Sequence, residues 1–357
     1  MTTRRAVLKG IMASGLLARA SWADAGAPKY LSAGRKPNGS YAIYGLSAKG
    51  SIQFEIPLPG RGHAAAAHPT APMAVGFARR PGQFALVLDC LMGSVRQWLA
   101  APKDRHFYGH GAFSADGSLL FTTENDFEKA EGRIGLWDVL NGFRRIGEFS
   151  SGGVGPHDIR LMPDGATLVV ANGGIETHPD SGRAKLNIPT MEPNLSYVSL
   201  SGALRETVAL PRELRKNSLR HLAVNSTGHV AIGAQWQGNP KKNVPLVFRH
   251  RIGGALRALE TSMNVQTGFE GYVGSVAFDA TGAAIAATSP RGDRFAIYDM
   301  ADGSHKAFQT PDVCGVAASE HGVVASTGQG VFLSANSRGA QELSSAPVQW
   351  DNHLIRL

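Results

Sequence analysis

The sequence predicts an all-β fold, a seven-bladed β-propeller, on three observations. A pair of apolar alternating runs joined by a polar, Gly-containing turn recurs along the chain. A second strand–turn–strand segment follows each copy. The last residues supply the single strand that the first residues lack. A repeat of roughly 40–50 residues fits four strands per blade, and the period-2 alternation argues strands rather than helices.

In chain order, the first element is a targeting signal. Thr3-Arg4-Arg5-Ala6-Val7-Leu8-Lys9 matches a twin-arginine consensus, a weakly apolar stretch runs from Gly10 to Ala18, and Ala23-Asp24-Ala25 offers a small-x-small cleavage site. The apolar stretch is far shorter than the ~20 residues that span a bilayer. The expectation is a signal peptide over residues 1–25, a propeller over 26–357, export in folded form to the periplasm, and no later transmembrane segment.

The propeller then begins with three strands of one blade, in KYLSAGRKPNG and SYAIYGLSAKGSIQFEI. Blades one to six open at GHAAAAHPTAPMAVGFA (Gly62), GHGAFSADGSLLFTTE (Gly109), PHDIRLMPDGATLVVAN (Pro156), RHLAVNSTGHVAIGAQ (Arg220), GSVAFDATGAAIAATS (Gly274) and CGVAASEHGVVASTGQ (Cys314). WDNHLIRL, from Trp350, ends the chain after one strand. It is therefore the inner strand of blade seven, whose other three strands come from the N-terminal region. Such closure removes free sheet edges.

Composition agrees. The 43 glycines suit many tight turns. The net charge of +8 is scattered rather than striped, which argues against a nucleic-acid partner. Two cysteines, Cys90 and Cys314, exclude a disulfide framework; one bridge or two separate buried thiols remain open. There is no nucleophile elbow, P-loop, dinucleotide fingerprint or haem-attachment motif.

Histidine recurs at the start of the inner strand: His63, His110, His157, His221 and His353. Blades five and six carry Ser275 and Gly315 there. The spacing from His157 to its turn glycine is one residue longer than in blade two, which predicts a bulge in blade three that rotates His157. Inner strands surround the channel, so these side chains collect at one mouth. Antiparallel pairing brings the end of each second strand back to that mouth, so Glu124, Asn125, Asp126, Asn172, Glu176, His178, Gln235 and Trp236 are expected beside the ring, with Arg80 and Arg291. Imidazoles suit iron, copper, nickel or zinc, and carboxylates would complete a harder set. The other reading is that polar residues line a water-filled channel.

Blade three carries an insertion, GGIETHPDSGRAKLNIPTMEPNL from Gly173 to Leu195. It brings Glu176, His178, Asp180, Arg183 and Lys185, and is expected to fold over the same mouth, since long loops on rigid scaffolds tend to carry function.

The twin-arginine start, GHGAFSADGSLLFTTEND, GRIGLWD, GVGPHDIRLMPDGATLVVANGGIETHPDSGRAKLNIPTMEPNLSYV, SLRHLAV and the terminal WDNHL together resemble the family called domain of unknown function 1513. That resemblance implies a periplasmic propeller, often encoded beside imelysin-like proteins associated with iron uptake, and hence an imelysin-like partner. It implies no catalytic residues; His110, His157, Glu176, His178, His221 and His353 fall in the matched motifs. Three functions follow as expectations. The first is a binding protein of an iron-acquisition system, with iron or copper at the histidines. The second is a metal-dependent lactonase- or oxidoreductase-like enzyme using Glu124, Asp126 or Glu176 as base. The third is an interaction scaffold without a metal.

Overall fold

The structure is a computed structural model that describes residues 20–80 and 82–357. It contains seven four-stranded antiparallel sheets and, among the described residues, one short α-helix, Met263–Gly268, between blades four and five. The twin-arginine motif lies outside the described residues. The expected cleavage segment lies within them: the Asp24 carboxylate accepts the Ser21 N–H (2.7 Å), and the Trp22 indole donates to the His68 carbonyl (2.9 Å). No helix among the described residues is long and apolar enough to cross a membrane.

Alternation within the strands builds the ring. In Met73–Ala78 of blade one, Ala74 faces blade seven while Val75 and Phe77 face blade two. In Thr167–Asn172, Leu168 and Val170 pack on blade two, Val169 and Ala171 on blade four. Period-2 side chains thus serve two neighbours at once, and both faces of the middle strands are apolar. The result is seven separate apolar clusters, one in each seam between adjacent blades, including the seam between blades seven and one. Cys90 and Cys314 are buried free thiols; burial pushes the Cys90 thiol up to about 12.

Blade seven closes as the sequence predicts. Gln349–Arg356 pairs antiparallel with Tyr30–Arg35, which pairs in turn with Tyr41–Leu46 and Ile52–Leu58. Its register runs Tyr30↔Arg356 to Arg35↔Gln349. Gly34 is required here, because a Cβ would lie 2.4 Å from the Val348 side chain and 3.2 Å from the Trp350 ring. Trp350 itself is buried, packs edge-on against Tyr44 (centroids 5.2 Å, 86°), and donates its indole N–H to the Gly330 carbonyl in blade six.

Trp350→Ala should destabilise the fold by about 3–5 kcal/mol, the usual range for emptying a buried aromatic site. Chemical denaturation of the two proteins checks this; a loss below about 1 kcal/mol would mean that the closing strand is not a stabilising element.

Candidate functional site

The site starts from interruptions in the inner strands. Between Gly62↔Ala78 and Ala65↔Gly76 the ladder shifts, leaving His63 and Ala64 unpaired. The shift spans Tyr108–His110 in blade two, His157 in blade three and Arg220 in blade four. It spans Cys314–Gly315 in blade six and Asp351–His353 in blade seven. Only blade five, with Ser275–Phe278, pairs without a shift. The expected bulge in blade three is present, with His157 as its extra residue, but it belongs to a set of six rather than marking one blade. A bulge frees side chains from strict alternation, so successive residues here can address the channel.

The five imidazoles come together. His63 and His110 stack in parallel with centroids 4.9 Å apart, and His353 stands edge-on to both at 4.4 and 4.6 Å. His157 lies 5.0 Å from His110, and His221 lies 4.9 Å from His157 and 5.0 Å from His353. The rotation expected for His157 therefore does not remove it from the cluster. The absent members have a steric cause in blade six: a Cβ at Gly315 would sit 2.8 Å from the Leu354 nitrogen and 3.0 Å from the His353 carbonyl carbon. The closing strand occupies that space.

Two hydrogen bonds and two nearby carboxylates surround the ring nitrogens. His110 Nε2 and His353 Nε2 lie 3.2 Å apart, so one donates its N–H to the other's lone pair. His110 Nδ1 faces Asp158 Oδ1 at 3.4 Å, and His63 Nδ1 faces Asp351 Oδ1 at 3.8 Å. His157 Nδ1 donates to the Arg220 carbonyl (3.1 Å), which leaves its Nε2 as an acceptor. Both nitrogens of buried His221 lack a partner. Burial holds all five imidazoles below their ordinary pKa, reinforced around the cluster by neighbouring imidazoles and arginines. They are neutral at pH 7, the form that ligates metals.

One nitrogen each from His63, His110 and His353 lies within 4.8 Å of the others. Ligands at ~2.1 Å from a tetrahedral ion stand about 3.4 Å apart, so side-chain shifts of about an ångström bring the trio to ligation distance. Asp158 and Asp351 stand behind the Nδ1 atoms without a formed hydrogen bond; closing those gaps would give the carboxylate–imidazole pairing that orients metal-bound histidine. Asp158 is held by the N–H groups of Ile159 and Leu222 (2.8 and 2.9 Å). Burial alone would raise the Asp351 carboxyl; His63, Arg79 and Arg61 outweigh it and hold it well below the usual carboxylate range.

Above the cluster opens a bowl of about 520 Å³. His63, His157 and His221 form part of its floor, with Tyr108, Gln235 and Tyr272 among its walls. The blade-three insertion reaches it through Ile175, Thr177, Arg183 and Lys185, so the loop does cover this mouth. The Asn125 side-chain amide holds that loop by donating to the Thr177 carbonyl (3.0 Å). A second hollow, at the other ends of the inner strands, mixes apolar residues such as Leu222, Val276 and Leu354 with Arg160, Asp279 and Arg356.

Several residues expected beside the ring stand elsewhere. Alternation turns Glu124 away from the channel, where its fully buried carboxylate pairs with half-buried Arg145 on the outermost strand (2.7 and 2.8 Å) and also accepts the Thr122 hydroxyl. Asp126 pairs with Arg105 (2.8 Å), and Asn172 ties Ser151 to Asn194 and Ser196 in the seam between blades two and three. The Trp236 indole donates to the Asn239 carbonyl, outside the bowl. Glu176 is half-buried, with its N–H donated to Asn187. His178 caps the turn at Pro179–Ser181 and faces Glu128 (3.5 Å) beside a small pocket shared with Arg80 and His106. Residues not singled out from the sequence are Arg61, Arg79, Arg220, Asp158 and Asp351. The signal was available: arginine stands next to or near the repeat histidine in RGH and RH, and at the end of the second strand in ARR.

Residues 56–357 match the family described as Protein of unknown function (DUF1513), and the chain belongs to it. No curated protein matches it by sequence. Among solved structures, the chain is similar to hydrazine synthase of Kuenenia stuttgartiensis at 14% identity and a TM-score of 0.56, covering 74% of this chain and 75% of that one. A chain of a mitotic checkpoint complex is similar at 13% identity and a TM-score of 0.57, covering 80% of both. At such identities the likeness is one of fold.

Two outcomes test the site's construction. Gly109 has φ +108°, and a Cβ there would lie 2.7 Å from His63 Cδ2. Gly109→Ala should cost about 1–3 kcal/mol in thermal denaturation, as backbone strain of this kind does; an unchanged stability would contradict the packing of His63 described above. His106 is buried between Tyr108 and Phe127, and burial, then Arg80 and His178, lower its pKa to about 4. The unfolded chain binds this proton near pH 6.5, so stability should fall as pH drops from about 6.5 to 4, by about 3 kcal/mol from this residue. His106→Phe should remove that share of the acid loss in denaturation curves recorded across the range.

Proposed function

We propose that this DUF1513 propeller is an exported metal-binding protein of an iron-acquisition system, taking an iron or copper ion between His63, His110 and His353. The observation that carries the reading is the convergence of three buried, neutral imidazoles within 4.8 Å, two of them backed by carboxylates. His157 and His221 stand close enough to complete the set. An all-imidazole donor set suits borderline ions such as iron, copper, nickel and zinc and does not suit magnesium or calcium. Iron, a periplasmic location and an imelysin-like partner rest on the family resemblance; a twin-arginine signal, which serves folded cargo, is consistent with an ion inserted before export.

Binding fits the geometry better than catalysis. A metal-dependent hydrolase or oxidoreductase needs a general base beside the ion. Glu124 and Asp126 are committed to Arg145 and Arg105 inside blade two, Glu176 is not among the residues lining the bowl, and Asp158 is committed to backbone N–H groups.

Protein purified from the periplasmic fraction should carry up to one equivalent of iron or copper by elemental analysis. His110→Ala and His353→Ala should each weaken affinity at least roughly tenfold, the scale seen when even outer-shell partners are lost. Absence of bound transition metal, together with no affinity for ferrous, ferric or cuprous ion, would sink the reading.

A further inference from the structure

The bowl has a second character that the histidines do not explain. Of the ionisable groups on its wall other than histidine and tyrosine, all but one are cationic. Blade one contributes Arg61, Arg79 and Arg80; blade four contributes Arg220, blade five Arg291, and the blade-three loop Arg183 and Lys185. The exception is Asp312. Arg61 and Arg79 share one carboxylate, Asp351, each at 2.6 Å. None of the other five has a carboxylate partner among the described residues. Arg80 and Arg291 rest on the rings of Tyr108 and Tyr272 (5.8 and 4.4 Å), Arg220 Nε donates to the Ser218 hydroxyl (2.9 Å), and Lys185 bonds the Gln237 amide.

Such a concentration of one charge in a concave site is unfavourable unless something balances it. Burial first, then the mutual repulsion of these arginines, lowers the pKa of Arg183 and of Lys185. The walls focus the field into the cavity. Guanidinium forks match carboxylate and phosphate oxygens bidentately. The hydroxyl of Tyr108 and the side-chain amides of Gln235 and Asn352 add uncharged polar contacts. At about 520 Å³ the cavity has the size of a small-molecule site. Beneath it, His221 is 3% exposed, and neither of its ring nitrogens has a partner.

We propose that the bowl is a receptor site for a small oxyanion carrying at least two negative charges, a polycarboxylate or a phosphate. Arg220 and Arg291 hold it from the walls, and Arg183 and Lys185 of the blade-three loop hold it from above. The site does not require an ion on the histidines. An anion bound there lies over the imidazole cluster, where one of its oxygens can accept the unpartnered ring N–H of His221.

Calorimetric titration of the full chain tests this, after stripping with a neutral chelator, because an anionic chelator would itself compete. Citrate is one probe and inorganic phosphate the other. At least one should bind, with affinity falling steeply as NaCl rises from 0.05 to 0.5 M, as the screening length shortens. Arg220→Gln should weaken that binding roughly tenfold or more, the scale of one charged hydrogen bond. Arg183→Gln, in a surface loop where folding is not at stake, should do the same. Preference for citrate assigns the polycarboxylate source, and preference for phosphate the other. No binding of either at millimolar concentration, or binding indifferent to both substitutions, overturns the proposal. Absence of metal binding by the unsubstituted protein, with anion binding intact, would overturn the reading of the histidines and leave this one standing.

Discussion

The mouth of the channel depends on broken strand pairing. A regular inner strand would send successive side chains alternately into its two flanking seams. Six of the seven inner strands shift register at the same height, and the freed residues are those that make the site: His63, His110, His157, Arg220 and the run Asp351–His353. The ladder bonds forgone there are replaced by contacts that run between blades. His157 donates to a carbonyl of blade four, Asp158 accepts an N–H of blade four, and Ser275 accepts an N–H of blade six. The histidine cluster and the stitching of adjacent blades are therefore one construction.

Electrostatics divide this construction into two levels. At the lower level five imidazoles crowd together, and burial keeps them uncharged. Charge enters only as the carboxylates Asp158 and Asp351, each anchored from behind by backbone N–H groups or arginines. At the upper level the permanent cations stand where water can reach them. A buried imidazole can shed its proton when neighbours are positive, whereas an arginine cannot. That difference explains why histidines occupy the floor and arginines the rim.

The fold was almost wholly legible in the sequence, because a closed array of strands repeats its own pattern. The turn glycines, the alternation and the orphan strand WDNHLIRL each pointed to seven blades, and the sheet order agrees. The five histidines were legible for the same reason, being equivalent positions of a repeat. Their neighbours were harder to read. Strand order says which end of a strand returns to the mouth, but not which face a side chain takes once bulges shift the register. Glu124 and Arg80 both follow or end second strands, yet Glu124 turns into the blade and Arg80 into the bowl. The arginine rim is assembled from four blades, with no repeat to announce it. Arg220 is itself a bulge residue, invisible to any reading by alternation.

The closing strand has a consequence for the order of events in synthesis. Tyr30–Arg35 emerges from the ribosome early, with one edge already paired and the other open. Its partner, Gln349–Arg356, lies more than 300 residues further along the chain. At a typical pace of about 5–20 residues per second, that edge waits roughly 15–60 s for its partner. Asp351 and His353 ride on the same strand, so the third imidazole of the His63–His110–His353 group and the partner of Arg61 and Arg79 arrive together with the final seam. An unfinished or truncated chain thus has neither a closed ring nor a complete mouth.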